Sequence, residues 1–91
     1  MKITIPNLQL ELANNLAEIG QINIKYINNK EEFLGYISKM NDETLEFTMM
    51  KMYTEKGKNP YCDIDFKNID TISIKYSRSE NNFKEFIVDH S

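Results

Sequence analysis

The sequence predicts a single, mainly β domain with one amino-terminal α-helix and a five-stranded, strongly bent sheet or small barrel. Three observations predict it. Short apolar–polar alternations separated by polar turns recur over residues 21–76, and this is the period of strands with one buried face. Apolar residues recur at helical spacing over residues 8–19. The whole chain, 1–91, is long enough for one domain and too short for two.

The first predicted element is a helix over residues 8–19. Its apolar residues recur every three or four positions: Leu8, Leu12, Leu16 and Ile19. Asn7 is a candidate N-cap, and Gly20 stands where a C-terminal cap belongs. Because the apolar stripe occupies one face, we expect the helix to pack on the sheet, with Leu12 and Leu16 buried.

Five strands are predicted after the helix, at 21–27, 33–40, 44–53, 61–66 and 70–76. Gly35 indicates a bent strand in which two backbones approach closely. Asn41-Asp42 provide the turn between the second and third strands, because short polar side chains hydrogen-bond their own backbone. The segment TEKGKNP, at 54–60, has the composition of an exposed hairpin loop, and 67–69 is predicted to form a tight turn.

The two ends of the chain give weaker patterns. Residues 2–5, KITI, alternate and are a candidate for a short strand that stops at Pro6-Asn7. Residues 77–82 are polar, and we expect a loose segment there. The tail at 83–88 is too apolar to remain in water, so we expect it to dock on this barrel or on a neighbouring copy.

Two segments resemble the motifs of Sm-like proteins, whose fold is a small β-barrel. The spacing Gly35-x-Ile37-x-x-Met40-Asn41 is similar to the first motif, and Ile64-Asp65-Phe66-Lys67-Asn68-Ile69 to the second. The resemblance implies an Sm-like or SH3-like barrel preceded by a helix. It does not carry over RNA binding, because Asp65 stands at the position of the family's RNA-contacting arginine and Phe66 at that of its glycine.

Composition argues against several classes of protein. The net charge is −3, with ten lysines and a single arginine, Arg78, which is not the footprint of a typical nucleic-acid binder. No apolar run has the length of a membrane span or signal peptide, and a lone Cys62 fits a reducing compartment, so we expect a cytoplasmic protein without membrane contact. The excess of Lys, Asn and Ile favours a low-GC bacterium or one of its phages as the source.

The residues offer little for catalysis. His90 is the one histidine and lies beside the chain end, where a general base lacks a fixed partner. Cys62 alternates with Ile64 and fits a core position better than that of a nucleophile. Asp63 and Asp65 share a strand face, a pattern more typical of a solvated surface than of a cation site. We therefore expect no enzyme activity, no cofactor and no metal.

Binding is the better prediction, in two alternative forms. One is a protein-interaction module, an accessory or inhibitory protein of a phage or mobile element, that binds itself or a host protein. The other is a nucleic-acid or nucleotide-binding protein that uses the lysines and tyrosines of the 51–61 hairpin, where phosphates can meet cations and bases can stack. The residues predicted for this ligand site are Lys51, Tyr53, Lys56, Lys58 and Tyr61.

Self-association is expected because a sheet that does not close leaves unpaired strand edges. The candidate edges are 61–66 and 70–76, and the tail at 83–88 offers a second apolar patch. The residues predicted for the interface are Ile64, Ile72, Ile74, Phe83, Phe86 and Ile87. Methionines at 49, 50 and 52 cannot all face inward on one strand, so one face should expose methionine unless another element covers it.

Overall fold

The computed structural model describes residues 1–77 and 82–91, which form one sheet and one α-helix. The elements in chain order are β1 (Lys2–Thr4), α1 (Ile5–Asn14), β2 (Ile19–Tyr26), β3 (Asn29–Asn41), β4 (Glu46–Lys51), β5 (Tyr61–Asp63), a 3-10 turn (Phe66–Asn68), β6 (Ile69–Tyr76) and β7 (Phe83–Asp89). The mainly β class with one helix is confirmed. The expectation of a loose segment at 77–82 falls largely on 78–81, which lie outside the described residues.

The strands follow the order β1-β7-β6-β2-β3-β4-β5. Neighbours are antiparallel except β1 and β7, which pair in parallel. The prediction of five strands is therefore wrong: the described residues form seven, in a sheet whose ends, β1 and β5, do not pair with each other. The two extra strands are KITI and the apolar tail. In β7, Phe86 and Val88 are buried while their neighbours are not, so this segment is a strand of the sheet and not a docked tail.

The core lies between the inner face of the sheet and α1. Buried apolar side chains come from α1, β2, β4, β6, β7, the 3-10 turn and the residue Ile64 before it: Leu8, Leu12, Ile22, Ile24, Phe47, Met49, Ile64, Phe66, Ile69, Ile72, Ile74, Tyr76, Phe86 and Val88. Ile3 of β1 and Cys62 of β5 pack against this cluster from the sheet's two edges. Phe47 and Phe66 meet edge to face with ring centroids 5.9 Å apart, the arrangement that aromatic quadrupoles favour.

Helix α1 begins three residues earlier and ends five residues earlier than the predicted range of 8–19. The N-cap is Thr4, whose hydroxyl accepts from the Asn7 N–H at 3.3 Å, and Pro6 lies in the first turn, where its missing N–H costs nothing. Leu8 and Leu12 are buried as the stripe indicates. Leu16 lies beyond the helix and is only half-buried, so the prediction of a buried helical Leu16 is wrong.

Two local predictions in the β3–β4 hairpin are confirmed. A Cβ on Gly35 would overlap the carbonyl oxygen of Met50 on the neighbouring strand, so glycine permits the close backbone approach. The Oδ1 of Asn41 accepts from the N–H groups of Glu43 and Thr44 at 2.9 and 3.3 Å, which closes the turn. Leu45 completes it in a left-handed conformation with φ of 55°.

A polar cluster joins α1 to the sheet, and we call it the Glu11 clasp. The Tyr76 hydroxyl donates to Glu11 Oε1 at 2.6 Å, and Lys84 Nζ donates to the same oxygen at 3.1 Å. The hydrogen bond from Tyr76, with the charge of Lys84, holds the pKa of Glu11 below its usual value despite partial burial. Burial and the bond to Glu11 raise the pKa of Tyr76. The helix is thereby fastened to β6 and β7 by charge-assisted bonds.

Candidate interaction surface

The edges of the sheet differ from those predicted. Strand β6 lies inside the sheet between β7 and β2, so the proposed edge at 70–76 is wrong. The segment 61–66 is an edge in part: its first three residues form β5, which pairs with β4 on one side. The other edge is the three-residue β1. Both edges are short, which limits the backbone they offer for pairing with another chain.

The six residues predicted for an interface separate into two groups. Ile64, Ile72, Ile74 and Phe86 are buried in this chain's own core. Phe83 and Ile87 are exposed, at 57% and 46% of their surface. They alternate with the buried residues of β7 and so lie on the opposite, outer face of the sheet. A partner that approaches the folded chain can therefore reach these two side chains.

A row of large side chains crosses the outer face on three adjacent strands. Tyr36 of β3 lies opposite Met50 of β4, and Met50 lies opposite Tyr61 of β5. Directly opposed residues share a face, so the three side chains form one continuous row. Tyr36 and Met50 are exposed at 39% and 36% and Tyr61 at 50%. The alternation of methionine in β4 is as predicted, since Met49 is buried while Met50 is exposed.

The row continues toward the centre of the sheet. Gln21 Nε2 lies 3.5 Å from the Tyr36 hydroxyl and 3.3 Å from Met52 Sδ, which brings exposed Met52 beside the row. Beyond Gln21 is a depression of about 300 Å³ whose apolar walls are Leu34 and Phe83. The outer face is the side of the sheet that is turned away from the core. Between Tyr61 and Phe83 its apolar residues are Leu34, Tyr36, Met50, Met52, Tyr61 and Phe83, and Ile87 lies farther along β7.

Polar side chains in the middle of the outer face are mostly uncharged. The polar residues that line the depression are Gln21, Asn23, Ser73 and one charged residue, Lys75. Lys25 and Glu32, in the next row, pair with each other at 3.4 Å and are more than half exposed. A surface of this kind combines tyrosine, phenylalanine and methionine with amides and little net charge, the composition found in the central parts of protein–protein interfaces.

The lysine–tyrosine hairpin forms a separate depression. Lys51, Tyr53 and Lys58 surround a space of about 440 Å³, so three of the five predicted ligand-site residues are brought together. Lys56 and Tyr61 do not line it; Tyr61 belongs to the outer face. Glu31 and Glu55 line the same space and offset the two lysines. The predicted positive tip is therefore flanked by carboxylates, one of them from β3, which the local sequence around the hairpin does not reveal.

Cys62 and His90, the two residues considered above for catalysis, both make contacts within the fold. Cys62 is half-buried against the core, and burial raises the pKa of its thiol. His90 Nε2 lies 2.6 Å from the Ile69 carbonyl oxygen, a contact that local sequence did not indicate. Within residues 1–77 and 82–91, no group of three or more His, Cys, Asp or Glu side chains is placed to hold a metal ion. In the same part of the chain, no helix has the length and apolar character to cross a membrane.

The outer face was largely missed by sequence reasoning, although one signal was present. The segment FLGY places apolar side chains on both faces of β3, which a strand with a single buried face does not need. Comparison with family models, curated proteins and solved structures finds no match for this chain.

Proposed function

We propose that this chain is a non-enzymatic binding module that acts through protein–protein contacts at its outer face. The observation that carries the proposal is the row formed by Tyr36, Met50 and Tyr61. It places three large, exposed side chains next to one another on adjacent strands. Large exposed apolar patches are uncommon on monomers and mark contact surfaces. Tyrosine suits such a contact because it adds much buried area for little lost side-chain freedom.

A second copy of the chain is the partner that this surface fits best. In a twofold contact each residue faces the same patch of the other copy, so a charged patch would repel itself. The depression at the centre of the outer face is lined by two amide side chains, one hydroxyl and a single charged group, Lys75, and the amides and the hydroxyl donate and accept and so complement themselves. An accessory or inhibitory protein of a phage or mobile element would act through protein–protein contacts of this kind.

The proposal includes an Sm-like or SH3-like arrangement of the central strands. Strands β6-β2-β3-β4-β5 are adjacent in that order, α1 precedes them, and a 3-10 turn leads into β6. This is the helix-then-five-strand series on which the Sm-like and SH3-like resemblance rests. Asp65 is exposed and bonded to Asn68, while Phe66 is buried, so the second motif serves the fold here. The Sm-like assignment remains a proposal about fold and does not extend to RNA binding.

Light scattering after size exclusion tests the proposal. At tens of micromolar the wild-type chain should show a mass of twice 10.7 kDa. Met50→Glu should return it to the monomer because it would bury a carboxylate without a partner in the contact. Leu10→Glu is the matched control, since Leu10 is 47% exposed on α1, away from the outer face. A wild-type mass of 10.7 kDa, or equal dissociation by both variants, contradicts the proposal.

A second candidate function is supported by the hairpin depression, where Lys51, Tyr53 and Lys58 converge. It is the binding of a phosphate-bearing ligand, a nucleotide or a single strand, by the two lysines and the tyrosine ring. Lys58→Glu should abolish such binding, whereas Lys56→Glu is the matched control because Lys56 does not line the space. A gel-shift assay with mixed single-stranded RNA and DNA at low and moderate salt measures it. Equal affinity for wild type and Lys58→Glu would eliminate this site.

A further inference from the structure

A second cavity lies away from the outer face, beside the turn between β2 and β3, and we call it the turn cleft. It has a volume of about 410 Å³, enough for a small organic ligand. One wall is aromatic, formed by Tyr26 and Phe33, whose rings meet edge to face at 5.0 Å. Two acidic residues, Asp63 and Asp65, also line the cavity. The cavity thus combines a hydrophobic surface with negative charge.

The aromatic wall is held in place by the backbone. The Asp65 N–H donates to the Tyr26 hydroxyl at 3.2 Å, which fixes the phenol beside this acidic residue. Burial raises the pKa of Tyr26. A rigid, neutral ring offers an electron-rich face to a cation.

The structure already contains one cation on this wall. Lys51 Nζ lies 5.4 Å from the centroid of the Phe33 ring, within the range of a cation–π contact. Lys51 belongs to the hairpin depression and does not line the turn cleft. The ring pair therefore accepts an ammonium group from the hairpin side and presents its remaining surface to the cleft.

The carboxylates are held by uncharged donors. Asp63 Oδ1 accepts from the Thr48 hydroxyl at 3.0 Å, and Asp65 Oδ2 accepts from Asn68 Nδ2 at 2.6 Å. Each carboxylate can accept several hydrogen bonds, so these contacts orient the groups and leave further acceptor capacity. A second depression, which shares Tyr26 and the Asn28-Asn29 turn, extends the cleft toward Asp70.

We propose that the turn cleft binds an organic cation, an amine or guanidinium group on an alkyl chain, between Tyr26 and the carboxylates of Asp63 and Asp65. The alkyl part would pack on the aromatic wall and the N–H donors would meet the carboxylates in charge-assisted bonds. The same chemistry is available from a free polyamine and from a lysine or arginine side chain of another protein. This site goes beyond the proposed function and does not depend on it.

Isothermal titration at low salt tests the proposal with two probes, spermidine and N-acetyl-arginine amide. Asp65→Asn should weaken binding about tenfold or more, since it removes a charged acceptor while keeping shape. Asp42→Asn is the matched control, because Asp42 is exposed in the β3–β4 turn, away from the cleft. Far-UV circular dichroism and a melting curve show that each variant is folded.

Lys51→Met distinguishes this site from the hairpin depression. It removes a nearby positive charge, so cation binding in the turn cleft should tighten, whereas a phosphate ligand at the hairpin would be lost. Binding of the arginine probe assigns the site to a protein side chain, and binding of spermidine alone assigns it to a free polyamine. Either result agrees with the proposal. Binding of neither probe at millimolar concentration, or equal weakening by Asp65→Asn and Asp42→Asn, overturns it.

Discussion

The Glu11 clasp should contribute measurably to stability, and a double-mutant cycle between Glu11 and Tyr76 isolates its main bond. Glu11→Ala removes the acceptor, Tyr76→Phe removes the donor, and the double variant removes both. Changes in helix propensity and packing at either position cancel in the cycle. What remains is the coupling free energy of unfolding between the carboxylate and the hydroxyl.

The geometry sets the expected size of this coupling. The oxygen–oxygen distance of 2.6 Å lies in the range of a charge-assisted bond, and Tyr76 is only 4% exposed. Hydrogen bonds to charged groups contribute about 1.5–3 kcal/mol. Lys84 donates to the same oxygen and would still bond the carboxylate in Tyr76→Phe, so we expect a coupling near the lower end, about 1.5 kcal/mol.

The coupling should also depend on pH. The folded-state pKa of Glu11 is lowered, so the clasp stabilises the fold above the carboxyl's unfolded pKa of about 4.3. Its contribution is lost as the pH falls through the lower, folded-state value. The difference in unfolding free energy between wild type and Tyr76→Phe should therefore shrink as the pH is lowered from about 7 toward about 3.

Urea denaturation followed by far-UV circular dichroism measures all four proteins of the cycle. Lys25 and Glu32 form the matched control cycle, because they pair at 3.4 Å with both side chains more than half exposed. That surface pair should couple by less than about 0.5 kcal/mol. A Glu11–Tyr76 coupling below about 0.3 kcal/mol, or one that does not change toward acid, would refute the reasoning.

Three further changes test the packing. Leu12→Ala should lower the free energy of unfolding by about 3 kcal/mol and Leu16→Ala by about half as much, because Leu12 is fully buried and Leu16 is not; equal losses in chemical denaturation would contradict this. Gly35→Ala should cost at least about 2 kcal/mol, since the new methyl group would overlap the Met50 backbone, and an unchanged melting temperature would be the contrary result. Thr4→Ala should cost about 1 kcal/mol through loss of the cap on α1, and an unchanged urea midpoint would show that the cap is not needed.

Predictions that rest on local patterns agree best with the structure. The alternation at 70–76 gives the strand Ile69–Tyr76, and the Asn41 turn and Gly35 act as their residue types indicate. The start of the helix was predicted three residues too late because of Pro6. Pro6 suggested a break, but it fits the first helical turn, which makes Thr4 the cap in place of Asn7.

Predictions that rest on strand neighbours were less successful, because neighbours are set by contacts distant in sequence. Nothing within 70–76 indicates that β7 will pair with this strand, so the segment resembles an edge strand when its sequence is considered alone. The same cause affects the site residues. Ile72 and Ile74 alternate toward the core, and the accessible large apolar residues of the neighbouring strand are Phe83 and Ile87. The turn cleft combines residues of β2, β3, β5 and the segment after β5, which the chain order separates.

The parallel pairing of β1 with β7 has a consequence for how the chain folds. Lys2 lies beside Ile87, so β1 pairs with a strand that the ribosome makes after β2 to β6. The hairpins from β2 to β4 are local and can form early, whereas β1 must remain unpaired until β7 has been synthesised. Until then β6 also lacks its neighbour and presents an apolar strand edge. The nascent chain is thus most prone to aggregation just before β7 emerges.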